Sequence, residues 1–192
     1  LKRGLQSTIH HVSVATFRRA VQAGVSSLAH VAFDEELTQE DIDTFLAAGT
    51  IIEPTLTVGY DLCWRIKGDK FSDVEGMRIL SHYREKILSF EDLGKDYYIP
   101  EFHDSLRRAR NKLMSGKIKM LGLIDLTRMY KYYSGVVANG FTNFCNLYKN
   151  GAMMALGNDG GVAPGTPAMM GPELRLFDLV LDKFADQGKL SG

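Results

Sequence analysis

The sequence predicts an α/β fold built on parallel strands. Three observations carry that prediction. Short β-prone runs alternate with helix-periodic segments near both ends of the chain. The connections between them are short. The run TIIEPTLTV over 50–58 is apolar enough along its length for a strand covered on both faces.

Each element has its own justification. LQSTIHH (5–11) is β-prone and ends in two histidines. SVATFRRAVQAGV (13–25) reads as a helix: Val14, Phe17, Ala20 and Val21 fall near helical spacing, Ser13 suits an N-cap and Gly24 suits the residue past the end. VSSLAHV (25–31) is a second strand, again ending at a histidine. TQEDIDTFLAAG (38–49) is a second helix, with a capping-box start from Thr38 and Asp41, acidic side chains in its first turn and Gly49 after its end. The third strand is 50–58. Farther on, FTNFCNLYKNG (141–151) reads as helix, AMMALG (152–157) as a fourth strand, and PELRLFDLVLDKFADQG (172–188) as a last helix with Pro172 in its first turn. Between these halves, about 59–136 breaks the rhythm. It is rich in Tyr, Lys and Arg, and its pattern predicts helices near 72–90, 101–115 and 125–138. So long a connection is an insertion with structure of its own, either a packed decoration or a wall of a substrate pocket.

Composition excludes several partners. The 192 residues are 45% hydrophobic, enough for one domain with a real core, and 23 basic side chains balance 23 acidic ones. A net charge of zero gives no electrostatic case for nucleic acid or an anionic membrane surface. No apolar run approaches the roughly 20 residues of a membrane span. Cys63 and Cys145 make neither a disulfide framework nor a CxxC metal site, and their apolar surroundings predict buried, reduced thiols. The chain starts at Leu1, inside the approach to a strand, so we expect a segment of a longer protein, and the sequence leaves the compartment open.

Three strand ends carry a metal ligand or proton handler: His10 the first, His30 the second and Asp159 the fourth. In parallel α/β folds the C-terminal strand ends face one side, where active sites gather, so these residues are expected to converge. In ALGNDGG (155–161) the glycines around Asp159 leave room for a sharp turn and a close neighbour. Two imidazoles and a carboxylate suit Zn²⁺, with ligand bonds of about 2.0–2.2 Å. Such an ion lowers the pKa of its bound water to roughly 7. Taken singly, each residue has an ordinary structural reading as a hydrogen-bonding, turn or cap group. Only one of His10 and His11 can point into a site, because neighbours on a strand face opposite ways. His82 and His103 sit in the insertion on predicted helices and read as surface residues.

IHHVSVATFRRAVQAGVSSLAHV, then AAGTIIEPTLTV, then NFCNLYKNGAMMALGNDGGVAPG resemble, in this order, the second half of the metal-dependent amidohydrolases, in particular the imidazolonepropionase-like and prolidase-like branch. The resemblance covers roughly 1–58 and 137–188. It implies strands five to eight of a (β/α)₈ barrel, with the mainly helical insertion between strands seven and eight. It implies that His10 is the strand-five metal ligand. His30 is the strand-six histidine, which binds a second metal or contacts substrate, and Asp159 is the strand-eight metal ligand and general base. Asn158 stands where the family usually has Thr. The family's strand-one His-x-His pair and strand-four Lys have no counterpart in this chain. A companion is therefore expected: the N-terminal half of the barrel, a second chain, or another copy in a homo-oligomer.

The implied function is hydrolysis of an amide or other C–N bond of a small molecule, such as a cyclic amide, an N-acyl amino acid or a dipeptide. One or two divalent ions, zinc first among them, activate water. Asp159 and His30 are the catalytic candidates, and His10, His30 and Asp159 the metal candidates. Tyr60 is the substrate-binding candidate, with Trp64, Tyr97 and Tyr98 beside it, and ordinary packing is their other reading. Two rivals stand: a non-catalytic barrel fragment or interaction module that has lost metal binding, and a metal-independent barrel lyase or isomerase. The second predicts a phosphate-binding glycine loop, and the acid at the centre of GNDGGVAPG argues against an anion there.

Overall fold

The computed structural model describes residues 4–60, 99–101, 104, 108, 120–121, 124–125, 134–159 and 170–184. Its centre is a three-stranded parallel sheet in the order β1 (Thr8–His10), β2 (Ser27–Ala29), β3 (Ile51–Glu53). The register aligns Ile9 with Leu28 and Ile52, and His10 with Ala29 and Glu53. Helix α1 (Val14–Gln22) joins β1 to β2, and α2 (Gln39–Ala48) joins β2 to β3. These are the parallel crossovers that the alternating sequence pattern calls for.

The local signals for these helices act as expected. The Ser13 side chain accepts from the Thr16 amide, and Gly24 follows the end at φ 71°. Thr38 and Asp41 form the full capping box, and Gly49 closes α2 in the left-handed conformation. Each satisfies backbone groups that a helix end otherwise leaves open.

The third strand is shorter than 50–58. It ends at Glu53, and residues 56–60 are helical. Pro54 has no N–H to give to a sheet, and Thr55 turns left-handed at φ 48°. The run TLTV is therefore a helix start rather than strand. The fourth strand is reduced to one parallel bridge, Ile52 with Met154. Ile52 donates to the Met153 carbonyl at 3.0 Å, and Ala155 donates to the Ile52 carbonyl at 2.8 Å. The segment lies where a fourth parallel strand belongs, but it meets a partner only three residues long.

In the insertion, β4 (Met120–Leu121) and β5 (Ile124–Asp125) pair antiparallel. This places strand at 125, where the sequence pattern began a helix. Positions 100, 101, 104 and 108 are helical, as expected, and 72–90 lies outside the described residues. A π-helical turn, Val136–Gly140, runs into α3 (Phe141–Lys149), and α4 spans Met170–Phe184.

The core lies between sheet and helices. Leu28 and Ile52 pack with Phe17 and Val21 of α1 and with Ile42 and Phe45 of α2, and the Phe17 and Phe45 rings stack at 5.5 Å. Helices α3 and α4 join through Phe144 against Phe177 at 4.7 Å and Phe141 against Phe184 at 5.4 Å. Cys145 is buried there, its Sγ 3.7 Å from the Val180 carbonyl, and burial pushes its thiol up to about 11, so it stays an inert thiol at neutral pH. Cys63 lies outside the described residues. Among those residues no helix is long and apolar enough to cross a membrane.

Candidate functional site

The C-terminal ends of the parallel strands surround a cavity of about 80 Å³. His10 from the end of β1, His30 just past β2, Pro54 and Thr55 past β3 and Asp159 past the Met154 bridge all line it. The remaining wall is apolar and includes Val31, Phe33, Val58 and Val136. The space admits a reacting group and water.

The two imidazoles meet edge to face, with ring centroids 4.7 Å apart and planes at 81°. His11 points the other way, as strand alternation requires. It is buried against Phe17, and its Nδ1 donates to the Ala29 carbonyl at 3.0 Å. Burial holds its pKa down at about 4, so it stays neutral.

The Thr55 hydroxyl bears on the tautomer of His30. Its Nδ1 meets the Thr55 hydroxyl, and that hydroxyl also lies 2.9 Å from the Pro54 carbonyl, which can only accept. When the single Thr55 proton goes to Pro54, His30 donates from Nδ1–H and keeps a lone pair on Nε2. Burial lowers the His30 pKa, while the Asp159 carboxylate opposes that shift and His10 adds to it. Neutral His30 is thus an acceptor at Nε2. It donates to a developing oxyanion only when protonated.

Backbone strain gathers at the same place. His30 (φ 73°), Thr55 (φ 48°) and Asp159 (φ 52°) are the non-glycine residues with positive φ among those described, and all three line this cavity. Gly157 explains one part of the glycine pattern: a Cβ there would stand 3.1 Å from the Glu53 carboxylate and 3.6 Å from Thr55. Gly160 and Gly161 lie outside the described residues.

Several contributors do not stand out in the sequence. Buried Asn143 of α3 donates to the Ala32 and Glu35 carbonyls at 2.8 Å each and accepts from the Leu37 amide at 2.7 Å. It thereby anchors the loop that carries Val31 and Phe33. Buried Glu173 of α4 accepts from the Leu56 amide at 2.6 Å and the Thr57 amide at 2.7 Å. It does leave a signal: it shares a helical stripe with buried Leu176, Val180 and Phe184, where a carboxylate needs a reason. Tyr60, expected at the substrate, is fully buried in the core, and Val58 and Gly59 line the cavity wall. Trp64, Tyr97, Tyr98, His82 and His103 lie outside the described residues.

The donor types suit zinc, but among the described residues no group of three His, Cys, Asp or Glu could hold a metal ion. His10, His30 and Asp159 share the cavity without forming a three-ligand set.

No protein-family model and no curated protein matches the chain. Among solved structures it is similar to a crystal structure of a Xaa-Pro dipeptidase with bound methionine in the active site, at 17% identity and a TM-score of 0.48. The alignment covers 98% of this chain and 34% of that one, so the chain spans about a third of the dipeptidase's length.

Proposed function

We propose that the cavity is the proton-handling part of the site of a metal-dependent amidohydrolase. Its substrate is a small molecule with an amide or related C–N bond: a cyclic amide, an N-acyl amino acid or a dipeptide. The observation that carries the reading is the clustering of strained backbone. His30, Thr55 and Asp159 each hold a left-handed conformation that costs on the order of 1–3 kcal/mol, and all three face one small cavity beside His10. Such conformations persist where the surroundings over-determine them, and they concentrate at sites that do chemistry. The order of the amidohydrolase-like segments along the sequence supports the same class.

The half-barrel belongs to this proposal. β1, β2, β3 and the Met154 segment neighbour one another in parallel and in chain order. Among the described residues β1 is an edge strand whose three residues are all exposed, and in this proposal a companion segment, from the same chain, another chain or a second copy, pairs there. Zinc belongs to the proposal too, with His10, His30 and Asp159 joined by donors from the companion segment.

This chain's own groups handle the proton. Asp159 takes a proton from water as the water oxygen bonds to the carbonyl carbon and the carbonyl π pair moves to oxygen. Asp159 then returns the proton to nitrogen as the C–N bond breaks, leaving a carboxylic acid and an amine. The Nε2 lone pair of His30 serves one of two roles, as a ligand to a second ion or as an acceptor that orients the water.

One observation favours the non-catalytic reading, namely that the described residues form no three-ligand group. Assay of the full chain against the three amide classes, with metal analysis of the same sample, separates the two. Turnover of one class that falls at least ~100-fold in Asp159→Asn supports hydrolysis. No turnover and no stoichiometric metal in the full-length protein, companion segment included, supports the non-catalytic reading.

A further inference from the structure

Glu173 and His30 belong to elements far apart in sequence, yet a continuous run of hydrogen bonds joins them. Glu173 lies in the first turn of α4 and is wholly buried. One carboxylate oxygen accepts from the Leu56 amide and the other from the Thr57 amide, at 2.6 and 2.7 Å. Short bonds from N–H to a carboxylate are among the stronger hydrogen bonds a protein makes. These two amides directly follow Thr55, a β-branched residue held at φ 48°. Nothing local to EPTLT asks for that conformation, because Pro54 sets its own φ and not that of the next residue. The restraint comes from α4. The Thr55 hydroxyl then receives the His30 Nδ1–H and passes its own proton to the Pro54 carbonyl.

We propose that Glu173 is a positioning residue for His30: its buried carboxyl group holds the left-handed Thr55 turn, and that turn holds the hydroxyl that selects the His30 tautomer. The consequence is that neutral His30 keeps its lone pair on Nε2. The use of that lone pair in hydrolysis rests on the reading proposed above, whereas the positioning itself does not.

The test reads the tautomer and not the activity. In the full chain with ¹⁵N-labelled histidine, the two ring-nitrogen shifts of neutral His30 show which nitrogen carries the proton. Wild type is expected to show Nδ1 protonated and Nε2 bare. Thr55→Val removes the acceptor and returns His30 to the mixture of a free imidazole, in which Nε2–H predominates. Glu173→Gln keeps the shape and one acceptor but turns an amino group toward the second amide, so it shifts the mixture part of the way. Glu173→Ala shifts it to the Thr55→Val value. Val180→Ala, a packing change on the same buried stripe, leaves the tautomer as in wild type. If Glu173→Ala does not fold, the isosteric Glu173→Gln decides alone. A folded Glu173→Gln with the wild-type His30 signals overturns the proposal, as does a wild type with Nε2 protonated. Neither result depends on turnover, so a failed hydrolase reading and a failed positioning role are told apart.

Discussion

The His10 and His30 rings lie edge to face with centroids 4.7 Å apart, although β1 and β2 are separated by a whole helix in the sequence. The contact follows from the parallel register, which places His10 level with Ala29, one residue before His30. His10 is exposed and makes no deep packing contribution, so His10→Ala should change unfolding free energy by no more than about 0.5 kcal/mol. On the proposed hydrolase reading, the same variant should lose hydrolysis and metal uptake in the full-length protein. Chemical denaturation alongside the assays checks both, and a large stability loss would recast His10 as a structural residue.

The wall opposite the histidines is held by close backbone approach. A Cβ on Gly59 would fall 2.7 Å from the Val136 Cβ, and one on Gly135 would collide with the Phe33 carbonyl. Gly59→Ala and Gly135→Ala should each cost about 1–3 kcal/mol through overpacking. Gly171 provides the control, since an added Cβ there would meet nothing within 4 Å, and Gly171→Ala should be neutral or slightly stabilising. Thermal melts of the three variants give the comparison.

Two buried groups pull stability in opposite directions with pH. Burial raises Glu173 from 4.5 to about 7, against the pull of its bonds from Thr57 and Leu56, so its contribution is fully present below pH 4.5 and is lost as pH rises through 7. Burial lowers His11 from 6.5 to about 4, so its contribution is present above pH 6.5 and is lost as pH falls through 4. Each corresponds to about 3 kcal/mol across its window, and the two slopes offset between pH 4.5 and 6.5. Urea unfolding should therefore give a nearly flat profile for wild type there. In Glu173→Gln only the His11 slope remains, so stability should climb with pH across the same interval. A Glu173→Gln profile as flat as wild type would contradict this account.

At lower pH the Arg18–Asp41 pair governs. Arg18 Nε and Nη2 reach the two Asp41 oxygens at 2.6 and 2.8 Å, and Asp41 also closes the α2 capping box. The Arg18 bonds hold the Asp41 carboxyl down at about 2, so its contribution is present above pH 3.8 and is lost as pH falls toward 2. Removing the cap alone with Thr38→Ala should cost about 1 kcal/mol at neutral pH. Acid titrations of wild type and Asp41→Asn should diverge above pH 4 and converge near pH 2.

The sheet-forming half of the fold is legible where the signals are local. Ser13, Gly24, Thr38, Asp41 and Gly49 bracket α1 and α2 because a cap needs only a few neighbouring residues. The strand-end positions of His10, His30 and Asp159 follow from alternation and chain order. The third strand reads too long because apolar TLTV looks alike in a buried strand and in a helix start, and the carboxylate that caps it comes from α4. Tyr60 reads as a pocket residue because an aromatic near a strand end fits either pocket or core until packing is known.

The sequence by itself determined the α1 and α2 boundaries, the parallel order of the strands and the three side chains at their ends, because periodicity and capping act over one or two helical turns. Only the tertiary structure decided where β3 stops, what His11 packs against, and that Thr55 meets both His30 and the segment held by Glu173. Those outcomes depend on Ala29, Glu173 and Thr55 meeting residues distant along the chain, and hydrogen-bond partners brought together by folding leave no periodic trace in the sequence.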